Sequence, residues 1–151
     1  MAHISRRIKN ESKLWENRIN ENYSILKDWN PTKIEVCIFN IGYVSYLFLI
    51  FEISFEYPFK PPKIYLNGKD FKRYLPSGKL FREDLKEILG SNCLCCSSIT
   101  CNWGPTLNII NIVDEIRHFL NIKLKLVELF FTRKLVNRIP IELCEIIISY
   151  L

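Results

Sequence analysis

The chain has 151 residues, of which 48% are hydrophobic and 25% charged, with a net charge of +5. This length carries one domain with a real core and is short for two; the charge suits acidic partners but is too mild to argue for nucleic acid. The longest strongly apolar run, Tyr46 to Phe51, falls far short of the ~20 residues of a membrane-spanning helix, so no membrane span is expected.

The first residues are expected to be helical. Ile4, Ile8 and Trp15 fall near one face, joined by Leu14 and Ile19, while Arg6, Arg7, Lys9 and Lys13 make the other side positive. Strands follow. Tyr23 to Trp29 is a weak candidate, ended by Asn30-Pro31. In Lys33 to Asn40, Ile34, Val36 and Ile38 alternate with Glu35, Cys37 and Phe39, the period of a strand with two different faces. Tyr46 to Phe55 is rich in aromatic and branched residues and suits a central strand. Asn40 to Ser45, with Gly42, reads as the turn between them. Lys63 to Leu66 is a short fourth strand, stopped by Asn67-Gly68. Four strands with short connections predict an antiparallel meander. A short helix is expected over Phe81 to Leu89, with Gly90 as its stop. A cysteine-rich stretch runs from Cys93 to Cys101. Ile109, Ile112, Val113, Ile116 and Leu120 then mark an amphipathic helix starting near Thr106. Lys123 to Leu151 reads as further helix broken at Pro140. No linker divides the chain, so residues 1–151 form one α+β domain.

Six cysteines without a secretory leader point to free thiols and a reducing compartment, cytoplasmic or nuclear. Cys93, Cys96 and Cys101 have partial zinc-ligand spacing, but a structural zinc site wants four ligands in two pairs. No second pair exists, and no metal is expected. No phosphate-binding loop is present, so no nucleotide or other cofactor is expected.

The most informative motifs are Tyr57-Pro58-Phe59-Lys60-Pro61-Pro62-Lys63, placed directly after an apolar strand, and Cys95 followed eight positions on by Trp103-Gly104-Pro105. With the opening Arg6-Arg7-Ile8-Lys9 and Glu11, and with Leu107 and Ile109 leading into the later helix, this ordered set resembles the ubiquitin-conjugating enzymes. The resemblance is clearest over residues 2–120; residues 121–151 are a divergent helical tail. It implies the ubiquitin-conjugating fold: an N-terminal helix, a four-stranded meander and C-terminal helices. It implies that Cys95 is the catalytic nucleophile, since the family sets that cysteine eight residues before the tryptophan, whereas Cys93 and Cys96 fall out of register. Arg6 and Arg7 would bind the activating enzyme, and Phe59 and Pro105 a ligase. The implied partners are ubiquitin or a ubiquitin-like protein, the activating enzyme and a ligase, with no nucleic acid and no membrane.

The chemistry suits a thiol, which attacks an activated thioester and carries the acyl group in a form still reactive toward amines. The sequence departs from the family at three places. Tyr74-Leu75-Pro76-Ser77 stands where the family has His-Pro-Asn, so Ser77 is the candidate oxyanion donor in place of asparagine. Asn92 and Asn102 are local substitutes in principle. Ser97 replaces a commonly acidic residue two positions after the cysteine. The tail beyond residue 120 does not follow the family's last helices; its Ile139 to Leu151 resembles the start of an F-box, beside the plainer reading of a final amphipathic helix. These departures keep open a second reading, a catalytically silent module of the same fold that binds ubiquitin or a ligase.

Overall fold

The computed structural model describes residues 2–17, 23–25, 30–41, 44–74 and 98–135, with the single positions 86, 88 and 143. In chain order these form α1 (Ala2–Asn17), β1 (Tyr23–Ile25), β2 (Lys33–Ile41), β3 (Val44–Glu52), β4 (Lys63–Leu66), β5 (Lys69–Asp70), a 3-10 turn (Phe71–Tyr74) and α2 (Ile109–Leu135). The strands make one antiparallel sheet in the order β1-β2-β3-β4-β5.

Alternation decides which face of the sheet is covered. Ile34, Val36 and Ile38 of β2, Leu47, Leu49 and Phe51 of β3, and Ile64 and Leu66 of β4 all enter one core. That core is closed by Ile8 and Trp15 of α1 and by Ile109, Ile112, Val113 and Ile116 of α2. Each such side chain contributes ~1.5–3 kcal/mol by leaving water. The opposite face carries Glu35, ion-paired at 2.6 Å with Lys33 Nζ, and Cys37, whose burial pushes its thiol above the usual range.

The α+β class and the meander are as expected, with four differences in detail. The β2 and β3 strands extend to the pair Ile41↔Val44, into residues expected to turn. Asn67-Gly68 is a hairpin turn, and β5 follows it. Both residues have positive φ, 47° and 78°, which asparagine and glycine tolerate and which two-residue hairpins require. Asn67 also bonds back to β3, donating its N–H to Phe48 O (2.8 Å) and accepting the Phe48 N–H at Oδ1 (3.0 Å). On α1, Leu14 is 50% exposed rather than part of the buried stripe. Finally, α2 starts at Ile109 rather than near Thr106; beyond Lys123 it is helical as expected, to Leu135, with Phe119, Ile122 and Leu126 prolonging its apolar stripe.

The α2 start is set by a reciprocal cap. Asn111 N–H donates to Asn108 Oδ1 and Asn108 N–H donates to Asn111 Oδ1, each at 3.0 Å. This amide version of the capping box satisfies a donor that the first helical turn would otherwise leave open. Of the helix expected over Phe81 to Leu89, Lys86 and Ile88 are helical; the rest lies outside the described residues, as do Ile19 and most of the tail.

Candidate functional site

The proline-rich motif forms a compact turn where β3 leaves the sheet. Ser54 Oγ accepts the Glu56 N–H (3.3 Å) and Ser54 O the Tyr57 N–H (3.2 Å). Glu56 O accepts the N–H groups of Phe59 (2.8 Å) and Lys60 (3.1 Å). The Tyr57-Pro58 peptide is cis. This turn sends Tyr57 inward and leaves Phe59 77% exposed.

Tyr57 reaches a carboxylate that ties together three segments. Glu11 is 1% exposed. Its Oε1 accepts from Tyr57 OH and from Arg7 Nε, both at 2.6 Å, and its Oε2 accepts the Ile109 N–H at 3.1 Å. Arg7 Nη2 donates onward to Leu107 O at 2.9 Å. A carboxylate from α1 thus caps the first turn of α2, where a negative charge also meets the positive end of the helix dipole. Burial, then the neighbouring Glu11 charge and hydrogen bond, push the Tyr57 phenol far above its usual range, so it remains a donor.

The second motif is bound to the first. Trp103 Nε1 donates to Pro58 O at 2.6 Å, and the Trp103 ring lies 6.0 Å from that of Tyr57, centroid to centroid. Upstream of it, residues 98–102 coil tightly. Ser98 is fully buried, and its carbonyl accepts the N–H groups of Cys101 (2.9 Å) and Asn102 (3.1 Å). Glu115 on α2 grips this coil: Oε1 accepts the Ile99 N–H at 2.5 Å and Oε2 the Ser98 hydroxyl at 3.1 Å. Burial raises the Glu115 carboxyl above its ordinary value despite these bonds and the nearby His118.

Of the residues singled out from sequence, Phe59 and Pro105 are both exposed on loops joined by Trp103. Arg6 is exposed, while the Arg7 guanidinium is engaged with Glu11 and Leu107. Asn102 is exposed, with its Nδ2 donating to Ser98 O at 3.3 Å. Cys101 is an exposed free thiol. Cys95 and Ser77 lie outside the described residues, as do Asn92, Cys93, Cys96 and Ser97. Among the described residues no cluster of His, Cys, Asp or Glu could hold a metal ion, and no helix is long and apolar enough to cross a membrane.

Sequence reasoning missed the clamping roles of Glu11 and Glu115. It also missed Phe55, 85% exposed beside the proline turn. Glu11 left a trace: it stands three residues after Ile8 and four before Trp15, a charge on an apolar stripe.

No family model and no curated protein matches this chain. Among solved structures, one described as a "putative ubiquitin conjugating enzyme from Plasmodium yoelii" is similar to it, at 24% identity and a TM-score of 0.49, covering 76% of this chain and 70% of the other.

Proposed function

We propose that this chain is a ubiquitin-conjugating enzyme with Cys95 as its thioester-forming nucleophile. The observation that carries the reading is the junction of the two motifs. The turn Tyr57 to Lys63 and the loop Trp103 to Pro105 are separated by some forty residues, yet Trp103 Nε1–H bonds Pro58 O directly. The order of elements supports the same reading: a helix, an antiparallel meander and a later helix, with the cysteine-bearing stretch preceding that helix in the sequence.

In this reaction the Cys95 thiolate attacks the C-terminal carbonyl carbon of ubiquitin held as a thioester on the activating enzyme. The new C–S bond forms at Cys95 and the activating enzyme's thiolate leaves. A lysine amine then attacks the Cys95 thioester, the isopeptide bond forms, the Cys95 thiolate departs, and the amine proton passes to solvent. Each step places negative charge on a carbonyl oxygen, where one fixed donor lowers the barrier by ~3 kcal/mol. Ser77 is proposed as that donor, with a shorter reach than an amide. The glutamate clamps hold the described framework: Glu115 fixes the backbone from Ser98, three residues beyond Cys95 in sequence, and Glu11 fixes Tyr57 and the head of α2.

The test is incubation with activating enzyme, ubiquitin and ATP, followed by gels with and without reductant. A reductant-sensitive adduct that disappears in Cys95→Ala and persists in Cys96→Ala is the expected result. A second reading, a silent module that binds ubiquitin or a ligase, is favoured by Leu75 and Ser77 standing where histidine and asparagine belong. No adduct in any variant, with ubiquitin or ligase binding retained, establishes that reading instead.

A further inference from the structure

We propose that the cleft between the proline turn and the β4–β5 hairpin is a docking site for an acidic peptide, which seats one apolar side chain between two lysines. The cleft has a volume of ≈ 260 Å³. That is below the ~300–1,000 Å³ of sites that enclose whole small molecules, and suits one or two side chains. Its apolar lining is Pro61, Pro62, Ile64 and Phe71, and exposed Lys63 and Lys72 stand at it. Thr100 contributes from the coil that Glu115 holds, so the site spans two separately anchored segments.

Charge selects the occupant. Residues 52–73 hold five cations (Lys60, Lys63, Lys69, Lys72, Arg73) against three carboxylates, Glu52, Glu56 and Asp70, a surplus of two. Lys60 is paired with Glu56 at 2.7 Å. Among the described residues Lys63 and Lys72 form no ion pair. Asp70 also lines the cleft, but its Oδ1 accepts the Lys72 backbone N–H at 2.8 Å. The net field attracts carboxylates, and the concave apolar lining adds what charge alone lacks, a place for a side chain to leave water. Nucleic acid fits less well, because the one aromatic ring in the lining, Phe71, is buried and offers no face on which a base can stack.

The test is fluorescence polarisation with the full chain and a labelled peptide of the form Gly-Glu-Glu-Leu-Glu-Glu-Gly at low ionic strength. Binding is expected to weaken about fivefold in Lys63→Glu and again in Lys72→Glu, the size of one exposed charge contact at each position. A similar loss is expected when the peptide leucine becomes serine. Lys125→Glu, an exposed charge reversal on α2, controls for net charge. The proposal is overturned by absence of binding, by equal losses in Lys125→Glu and the cleft variants, or by equal affinity for the serine peptide, which leaves only diffuse charge attraction. Tighter binding of a single-stranded RNA of equal charge, weakened by the same reversals, overturns it in favour of nucleic acid. None of these readouts involves thioester chemistry, so they are independent of the Cys95 assay.

Discussion

Glu11 is the residue on which most of the described framework converges. A buried carboxylate costs several kcal/mol in desolvation unless donors surround it, and here one side chain, one phenol and one backbone N–H do so from α1, the proline turn and the start of α2. Removing it orphans all three. Glu11→Ala is therefore expected to lower stability by about 3 kcal/mol, the lower end for breaking a buried ion pair, because Arg7 remains partly in water. Tyr57→Phe, which deletes one hydrogen bond to a charged group, should cost about 1.5 kcal/mol. Urea unfolding midpoints check both; a Glu11→Ala loss under about 1 kcal/mol would mean that the carboxylate is not the clamp. The sequence exposed only half of this arrangement. Position on the apolar stripe of α1 marks Glu11 as inward, but its partners lie 46 and 98 residues away, beyond the reach of any periodicity. The same blindness applies to Arg7, whose charge reads as surface in a helical pattern and is in fact bonded to Leu107 O.

Among elements, the strands were legible because burial on one face imposes a period of two, and Ile34, Val36 and Ile38 keep it without exception. The Asn67-Gly68 pair marked a turn, but a two-residue strand has too short a pattern to reveal β5. Helix beyond Lys123 was legible from its apolar content, and Phe119, Ile122 and Leu126 carry the stripe of α2 through it. The hydrogen bonds from Glu115 of α2 to the coil of residues 98–102 were not legible, since their partners lie 17 and 16 residues away, and they make a pH prediction. The folded-state value of the Glu115 carboxyl is raised above the ordinary 4.5, chiefly by burial. The folded protein therefore holds an extra proton in a window that opens near 4.5 and ends at the raised value. Stability from this group is complete below the window and declines as pH rises through it. Glu115→Gln keeps the shape, with an oxygen for Ile99 N–H and an amide for Ser98, and has no proton to lose. The difference in unfolding free energy, wild type minus Glu115→Gln, should fall with rising pH from about 4.5 and then level off; a flat difference across that range would contradict the burial argument.

At the scale of the whole molecule, the interior and the exposed loops answer to different demands. The core and the two glutamate clamps account for how the described segments hold together, and none of them uses Phe55, Phe59 or Pro105, which lie exposed around the junction made by Trp103. The loops that carry these residues were legible because their motif is contiguous in sequence, whereas the junction between them is not. Large apolar side chains left in water contribute little to folding, and exposed aromatic residues are the type that anchors protein interfaces. Stability and partner binding should therefore separate cleanly at Phe59. Phe59→Ala is expected to shift unfolding free energy by no more than ~0.5 kcal/mol. Trp103→Phe, which removes the bond to Pro58 O, is expected to cost about 1 kcal/mol. On the proposed function, Phe59→Ala should also reduce ligase stimulation of ubiquitin discharge by about tenfold, the effect of losing one interface anchor. The measurement is the ratio of discharge rates with and without ligase, taken beside a thermal unfolding scan. An unchanged ratio with unchanged stability would remove Phe59 from the ligase surface, and a fall in both together would make it a packing residue.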